Sequence, residues 1–398
     1  MNPNISRLAD IARKENRLIL GLMSGTSLDG LDIALCRISG SGKGTNVKLL
    51  QFTTLPYPDR FREDILKIFS KSNIDFQWLC ILHTHIGTTH ARMINETLRK
   101  WNISATEIDL IASHGQTVFH APRSLHAYND YPDATLQIGD GDHIAWETGI
   151  ITVSDFRQKH VAAGGEGAPL AVYGDYLLFS STEENRILLN LGGIANFTFL
   201  PIDGQAEKVF TTDVGPSNTL IDAYCRKYLN CSYDEDGRIA HSGNKNDNLL
   251  AALMAHDFFR LPVPKSTGPE LFNLDYLAQC QSASHTEYLR PEDVVATLTH
   301  FTAKAASAAI QNWVSPSVPT VVYVSGGGAR NRFLMSLLNQ YLGNIPVKGI
   351  EVLGVSAEAK EAVLFAILAN ETVAAPTPIL GASEGIPSVR LGKISFPD

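Results

Sequence analysis

The chain has no CxxC pair and no even set of cysteines. Its five cysteines, Cys36, Cys80, Cys225, Cys231 and Cys280, are scattered over 398 residues. That spacing argues against a disulfide framework and against a structural zinc site. No apolar run reaches the roughly 18 residues of a membrane span, and the polar lead-in with Arg7, Asp10, Arg13, Lys14, Glu15 and Arg17 lacks a signal-peptide core. A cytoplasmic protein without a membrane partner is expected. Basic residues are not in excess: the net charge is −8. The chain therefore has no general attraction for nucleic acid, and any anion site has to be local. A low-complexity linker is also absent, so two lobes, the default for this length, are expected to pack closely.

What is present is a glycine-rich turn between two strand-like runs, and it occurs twice. The first copy spans residues 17–36 around Ser24–Gly30, and the second spans 186–200 around Gly192-Gly193. Backbone N–H groups of such turns form anion-binding concavities, and glycine lets them approach a phosphate. Two copies half a chain apart predict two similar α/β lobes holding one polyphosphate. The expected boundaries are 1–185 and 186–371, with the tail 372–398 packing back on the first lobe. The first turn lacks the GK[ST] ending of a Walker loop, and strand residues follow it. It offers Gly25, Thr26, Ser27, Leu28, Gly30 and Leu31 to phosphate, while Asp29 and Asp32 suit a magnesium anchor. The second copy offers Gly192, Gly193 and Asn196.

Three further turns follow buried strands. Gly326-Gly327-Gly328, with Asn331, would let an adenine or ribose lie against the backbone. Asp155, closing the strand at 150–154, is a general base or one half of an Asp155–Arg157 lock on its loop. His114 and Gln116 suit sugar hydroxyls, or His114 is a structural loop histidine. Asp213 caps the following helix or faces the ligand. Glu361 starts the last helix (357–369) and faces either ligand or solvent. Helices are expected at 245–258 and 291–313, and a final strand at 389–394. His83, His85 and His90 lie on one helix, where 83 and 85 point apart, so a metal site there is not expected.

Seven motifs in order now carry a resemblance: Gly21–Asp32, Ser113–Thr117, Ser154–Arg157, Gly164–Leu170, Asn190–Asn196, Asp213–Asn218 and Gly326–Asn331. From about residue 18 to 394 the chain resembles the anhydro-N-acetylmuramic acid kinases of the sugar kinase, Hsp70 and actin superfamily. The resemblance implies two ribonuclease-H-like lobes with ATP in the cleft between them. It implies hydrolysis of the 1,6-anhydro bridge with phosphorylation of O6, in peptidoglycan recycling. Asp155 would be the catalytic base, and His114, Gln116, Arg157 and Asp213 would face the sugar. Asp29 and Glu361 would lie near Mg²⁺, and the protein would be a homodimer. Levoglucosan kinases share the catalytic Asp and the phosphate loops, so 1,6-anhydroglucose is a second substrate reading. A non-catalytic ATP-driven sensor is a third.

Overall fold

A computed structural model describes residues 2–123, 126, 128, 130–168, 170–315, 317–354, 356, 358–378 and 387–398. Pro169 of the Gly164–Leu170 motif lies outside the described residues. In chain order the strands are β1 (Asn16–Ser24), β2 (Gly30–Ser39), β3 (Asn46–Pro56), β4 (Leu110–Ala121), β5 (Ala134–Ile138) and β6 (Thr152–Ser154). They continue with β7 (Asn185–Leu191), β8 (Ile194–Leu200), β9 (Phe210–Pro216), β10 (Thr320–Ser325), β11 (Val347–Gly349) and β12 (Lys393–Ser395).

Two compact units result, Met1–Leu178 with Glu358–Asp398, and Phe179–Ala357. The first sheet runs β12-β6-β4-β1-β2-β3, with β5 paired to the far end of β4, and the second runs β11-β10-β7-β8-β9. In each, an antiparallel meander of three strands is extended by parallel strands on the far side of its first strand. The same order thus appears twice, the duplicated α/β arrangement expected of ribonuclease-H-like lobes.

Burial follows strand position. The central strands β1 and β4 read as nearly continuous buried runs, whereas β3 at the sheet edge alternates between half-buried and exposed. The helix Phe76–Trp101 begins at Asp75, whose carboxylate accepts from the Trp78 N–H at 3.2 Å, and ends at a left-handed Asn102. Leu82, Ile86, Ile94 and Leu98 form its buried stripe at helical spacing. In the second unit Pro291 opens the long helix Pro291–Trp313, where its missing N–H does no harm.

The structure corrects several expectations. The last helix, Lys360–Ala374, belongs to the first unit rather than the second. It lies against β1 at Gly21, where an added Cβ would sit 1.8 Å from the Ala362 carbonyl oxygen. The helix expected over 245–258 stops at Met254 because the His256 ring accepts from the Phe258 N–H and starts a separate turn. The final strand begins only at Lys393, because Gly392 before it takes φ +104° and breaks the extended run. The loop Gly40–Thr45 is filled from within: Glu371 accepts from the Gly42 N–H at 2.9 Å and the Thr45 hydroxyl at 2.7 Å.

Candidate active site

In the first unit β6, β4 and β1 are parallel neighbours. The turn after β1, residues 114–117 of β4 and Asp155 after β6 therefore share one edge of the sheet, at or beyond the carboxyl ends of β1 and β6. Open α/β sheets hold ligands at such an edge.

The turn Gly25–Asp29 exposes Thr26, Ser27 and Asp29, and Ser27 donates to the Asp29 carboxylate at 2.8 Å. Leu28 and Leu31 differ from the expectation. Their side chains are in the core, so only their backbone is available to a ligand. Leu28 accordingly takes a left-handed φ of +55° to turn its side chain inward. Gly30 is a packing position: a Cβ there would meet the Leu55 carbonyl oxygen at 2.4 Å. Asp32 accepts from the Thr54 hydroxyl at 2.5 Å.

Gln116 does not reach outward. It is fully buried, and its Nε2 donates to the carbonyls of Gly25 (3.2 Å) and Thr117 (3.1 Å). Its Oε1 can only accept, so Ser24 donates to it. Tyr57 then donates to Ser24 Oγ (2.7 Å), and His90 Nε2–H donates to Tyr57 Oη (2.8 Å). This buried chain ties the Gly25 turn to the helix Phe76–Trp101. His114 is also buried and takes the structural alternative. Its Nδ1–H donates to the Gly115 carbonyl at 2.9 Å, and its Nε2 accepts from Arg157 Nε at 2.9 Å. Arg157 further donates to the Gly167 carbonyl at 2.8 Å.

Asp155 sits at φ +55° just before the helix Phe156–Ala162, and its side chain does not cap that helix. The expected lock to Arg157 is not the pairing found. Lys393 on β12 donates to Asp155 Oδ2 instead. Glu361, in the first turn of the last helix, is open to solvent.

The second unit has its own set. The hairpin β7–β8 turns on Gly192-Gly193 alone, a shorter loop than its counterpart in the first unit. The two carbonyls accept from the N–H groups of Asn218 (3.1 Å), Ser217 (3.0 Å) and Thr219 (3.2 Å), which brings the turn against the start of the next helix. Strand register places Ser325, Asn190, Asn196 and Asp213 in one row across β10, β7, β8 and β9. Asp213 accepts from the Thr267 N–H at 2.8 Å and does not cap the following helix. Gly326 takes φ +84°, and a Cβ there would meet Asn190 Oδ1 at 2.6 Å. Gly328 likewise packs on Leu191, while a Cβ on Gly327 would have only Asn218 Nδ2 near it, at 3.5 Å. Asn331 caps the helix Arg332–Leu342, with its Oδ1 accepting from the Leu334 N–H at 2.9 Å.

A family model described as anhydro-N-acetylmuramic acid kinase matches residues 17–395. The chain belongs to that family. It is 51% identical to an anhydro-N-acetylmuramic acid kinase of Pseudoalteromonas atlantica and 52% identical to one of Pseudoalteromonas translucida, with all of each chain covered. A relative of the same name from Clostridioides difficile is 39% identical over 89% of this chain and 91% of its own.

The protein is therefore a kinase, and its carboxylates are crowded in the first unit. Burial raises the Asp32 carboxyl, with the Thr54 hydroxyl opposing and Asp29 and Glu358 adding to the rise. Glu361 keeps an exposed side chain, but the protein packed around its carboxyl group raises it, opposed by Arg157 and Lys360. Ser24, Tyr57, His90 and Lys393 were not singled out in the sequence reading as site residues. The first three look like ordinary strand, loop and helix positions, and Lys393 lies 238 residues from its partner.

Three buried histidines of this kinase make its stability acid-sensitive. Burial lowers His90 and His160 to about 4 and His114 to about 3, from 6.5. All three are neutral in the fold, so below pH 6.5 only the unfolded chain gains their protons. Stability contributed by each is complete above that pH and falls as pH drops toward 4, by up to about 1.4 kcal/mol per unit per histidine. Urea midpoints are expected to fall markedly from pH 7 to about pH 5. His90→Gln should flatten that dependence in part, since it removes one of the protonation sites that burial lowers.

Proposed function

We propose that this kinase uses ATP and Mg²⁺ in the cytoplasm to open the anhydro bridge of 1,6-anhydro-N-acetylmuramic acid. The products are N-acetylmuramate 6-phosphate and ADP, and the setting is peptidoglycan recycling. The observation that carries the reading is the common edge of β1 and β6, where an exposed Gly-Thr-Ser turn and the Asp155 carboxylate lie on either side of β4. The full-length relatives named for this activity support the choice of sugar.

The bridge oxygen is an ether without a proton to lose. Water adds to C1, Asp155 takes its proton, and the C1–O6 bond breaks. The electron pair left on O6 attacks the γ-phosphorus, and ADP departs. Gly25, Thr26 and Ser27 would hold the transferring phosphates by backbone and hydroxyl donors. Gly192, Gly193 and Gly326–Gly328 are the second unit's candidates for nucleotide binding. Gln116 and His114 act on the reaction through the groups they position, the Gly25 turn and Arg157.

Asp29 and Glu361 would hold Mg²⁺. Desolvation is the main cause of both rises, but Asp29 and Glu358 add to that of Asp32 and Asp32 adds to that of Glu361, and a divalent cation relieves repulsion of that kind. No three metal-binding side chains converge among the described residues. This suits Mg²⁺, which takes one or two carboxylates and completes its shell with water and phosphate. When bound it neutralises phosphate charge.

The test is product analysis in ¹⁸O-water with ATP, Mg²⁺ and the anhydro-muramic acid, with levoglucosan in parallel. A 6-phosphorylated muramic acid with one heavy oxygen at C1 is expected, read early because that oxygen exchanges. Product without the label would refute coupled hydrolysis, and product from levoglucosan alone would refute the substrate.

A further inference from the structure

We propose that Lys393 is a positioning residue for the Asp155 carboxylate, delivered by the C-terminal strand. The inference rests on the reading of Asp155 as the base.

The register makes the delivery specific. β12 pairs antiparallel with β6, and Lys393 stands opposite Ser154, the residue before Asp155. Its ammonium donates to Asp155 Oδ2. This is the single hydrogen bond found for that carboxylate among the described residues, because the helix start that Asp155 could cap is left uncapped. No described residue bonds Oδ1. A free carboxylate rotates broadly about its terminal torsion. Fixing one oxygen with a charge-assisted bond aims the other.

The tail is anchored so that Lys393 arrives at this point. Arg390 donates to the carbonyls of Ala375 (2.9 Å) and Pro376 (2.5 Å), Leu391 is buried, and Tyr173 donates to the Pro387 carbonyl at 2.7 Å. Gly392 lets the strand come close to its neighbour. A Cβ there would sit 2.6 Å from Val153 Cγ1, and its φ of +104° would strain any other residue. Stability does not explain the pair. The Lys393 side chain is 65% exposed, and ion pairs of that kind contribute little to folding.

The experiment compares Lys393→Met, Lys393→Arg and Asp155→Asn in the full-length kinase with ATP, Mg²⁺ and 1,6-anhydro-N-acetylmuramic acid. Lys393→Met should lower kcat about 10- to 100-fold, with both KM values within about twofold and the thermal midpoint unchanged. Lys393→Arg should recover most of the loss. A raised sugar KM at unchanged kcat would overturn the proposal in favour of direct substrate binding by Lys393. Wild-type kinetics in Lys393→Met would overturn it outright, as would failure of the arginine to rescue. An active Asp155→Asn would instead sink the reading of the base. An inactive Asp155→Asn beside a fully active Lys393→Met would sink the positioning role alone.

Discussion

Asp155→Asn is expected to lower turnover by about 10³- to 10⁴-fold, near the upper end of what a positioned general base contributes. ATP affinity should stay close to that of the parent enzyme. The substitution suits the site for two reasons. Asp155 holds a left-handed φ of +55°, a region that asparagine tolerates as readily as aspartate, so the backbone has no reason to move. The amide oxygen can still accept from Lys393, so the β6–β12 edge keeps its side-chain contact. What is lost is the capacity to take a proton from water. Water then reaches C1 as a poor nucleophile, O6 stays an ether, and the γ-phosphoryl group has no acceptor. Calorimetric ATP binding alongside an ADP-release assay checks both halves of the expectation. Retained turnover would move the base to another residue. Lost turnover together with lost ATP binding would make Asp155 a structural part of the nucleotide site.

The duplicated fold was legible because each lobe repeats a strand–glycine turn–strand signature with a buried parallel strand downstream. Strand periodicity and turn chemistry are local signals, and they survive in a single sequence. The turn at Gly25–Asp29 and the place of Asp155 after a strand were legible as local structure for the same reason. The partners of these residues were harder to read. Gln116 looked like a polar group at a strand end and so a ligand for a sugar, yet its amide is buried under the Gly25 turn. His114 was read with two alternatives, and only packing shows that its ring supports Arg157. Asn331 looked like a nucleotide contact because it follows three glycines, but the same position starts a helix that needs a cap. Leu28 and Leu31 were included with their motif although their side chains are apolar and buried. The last helix was assigned to the wrong lobe because it follows the second repeat in sequence, and no local signal shows that a chain returns to an earlier sheet. The return of the tail 372–398 to the first lobe was expected, but no local signal shows that its strand register brings Lys393 to Asp155.

Gly21→Ala is expected to be the most destabilising single-methyl change in the first unit. Gly21 lies in the middle of β1, in ordinary strand register, so the demand for glycine is not conformational. The last helix crosses there: an added Cβ would stand 1.8 Å from the Ala362 carbonyl oxygen, 2.9 Å from its carbon and 3.0 Å from the Ala366 nitrogen. All three are backbone atoms of a helix and cannot rotate away. Either the helix lifts or β1 bends. A lifted helix would disturb Asn370 and Glu371, which hold Arg17, Gly42 and Thr45 by hydrogen bonds. Overpacking of this sort costs about 3 kcal/mol or more. For a unit of this size that lowers its melting transition by roughly 6–12 °C. Calorimetry should show the lowered transition of the first unit. Gly25→Ala is the matched control. Its Cβ would find only Ser27 Oγ, at 3.5 Å, and its φ is not left-handed. Stability should then change by less than about 0.5 kcal/mol, as for other substitutions away from packed features. Equal midpoints for Gly21→Ala and the parent protein would mean that the helix carrying Glu361 does not rest on β1 as described. Turnover should fall in Gly21→Ala even below its melting transition, because the same helix that must move presents Glu361 from its first turn.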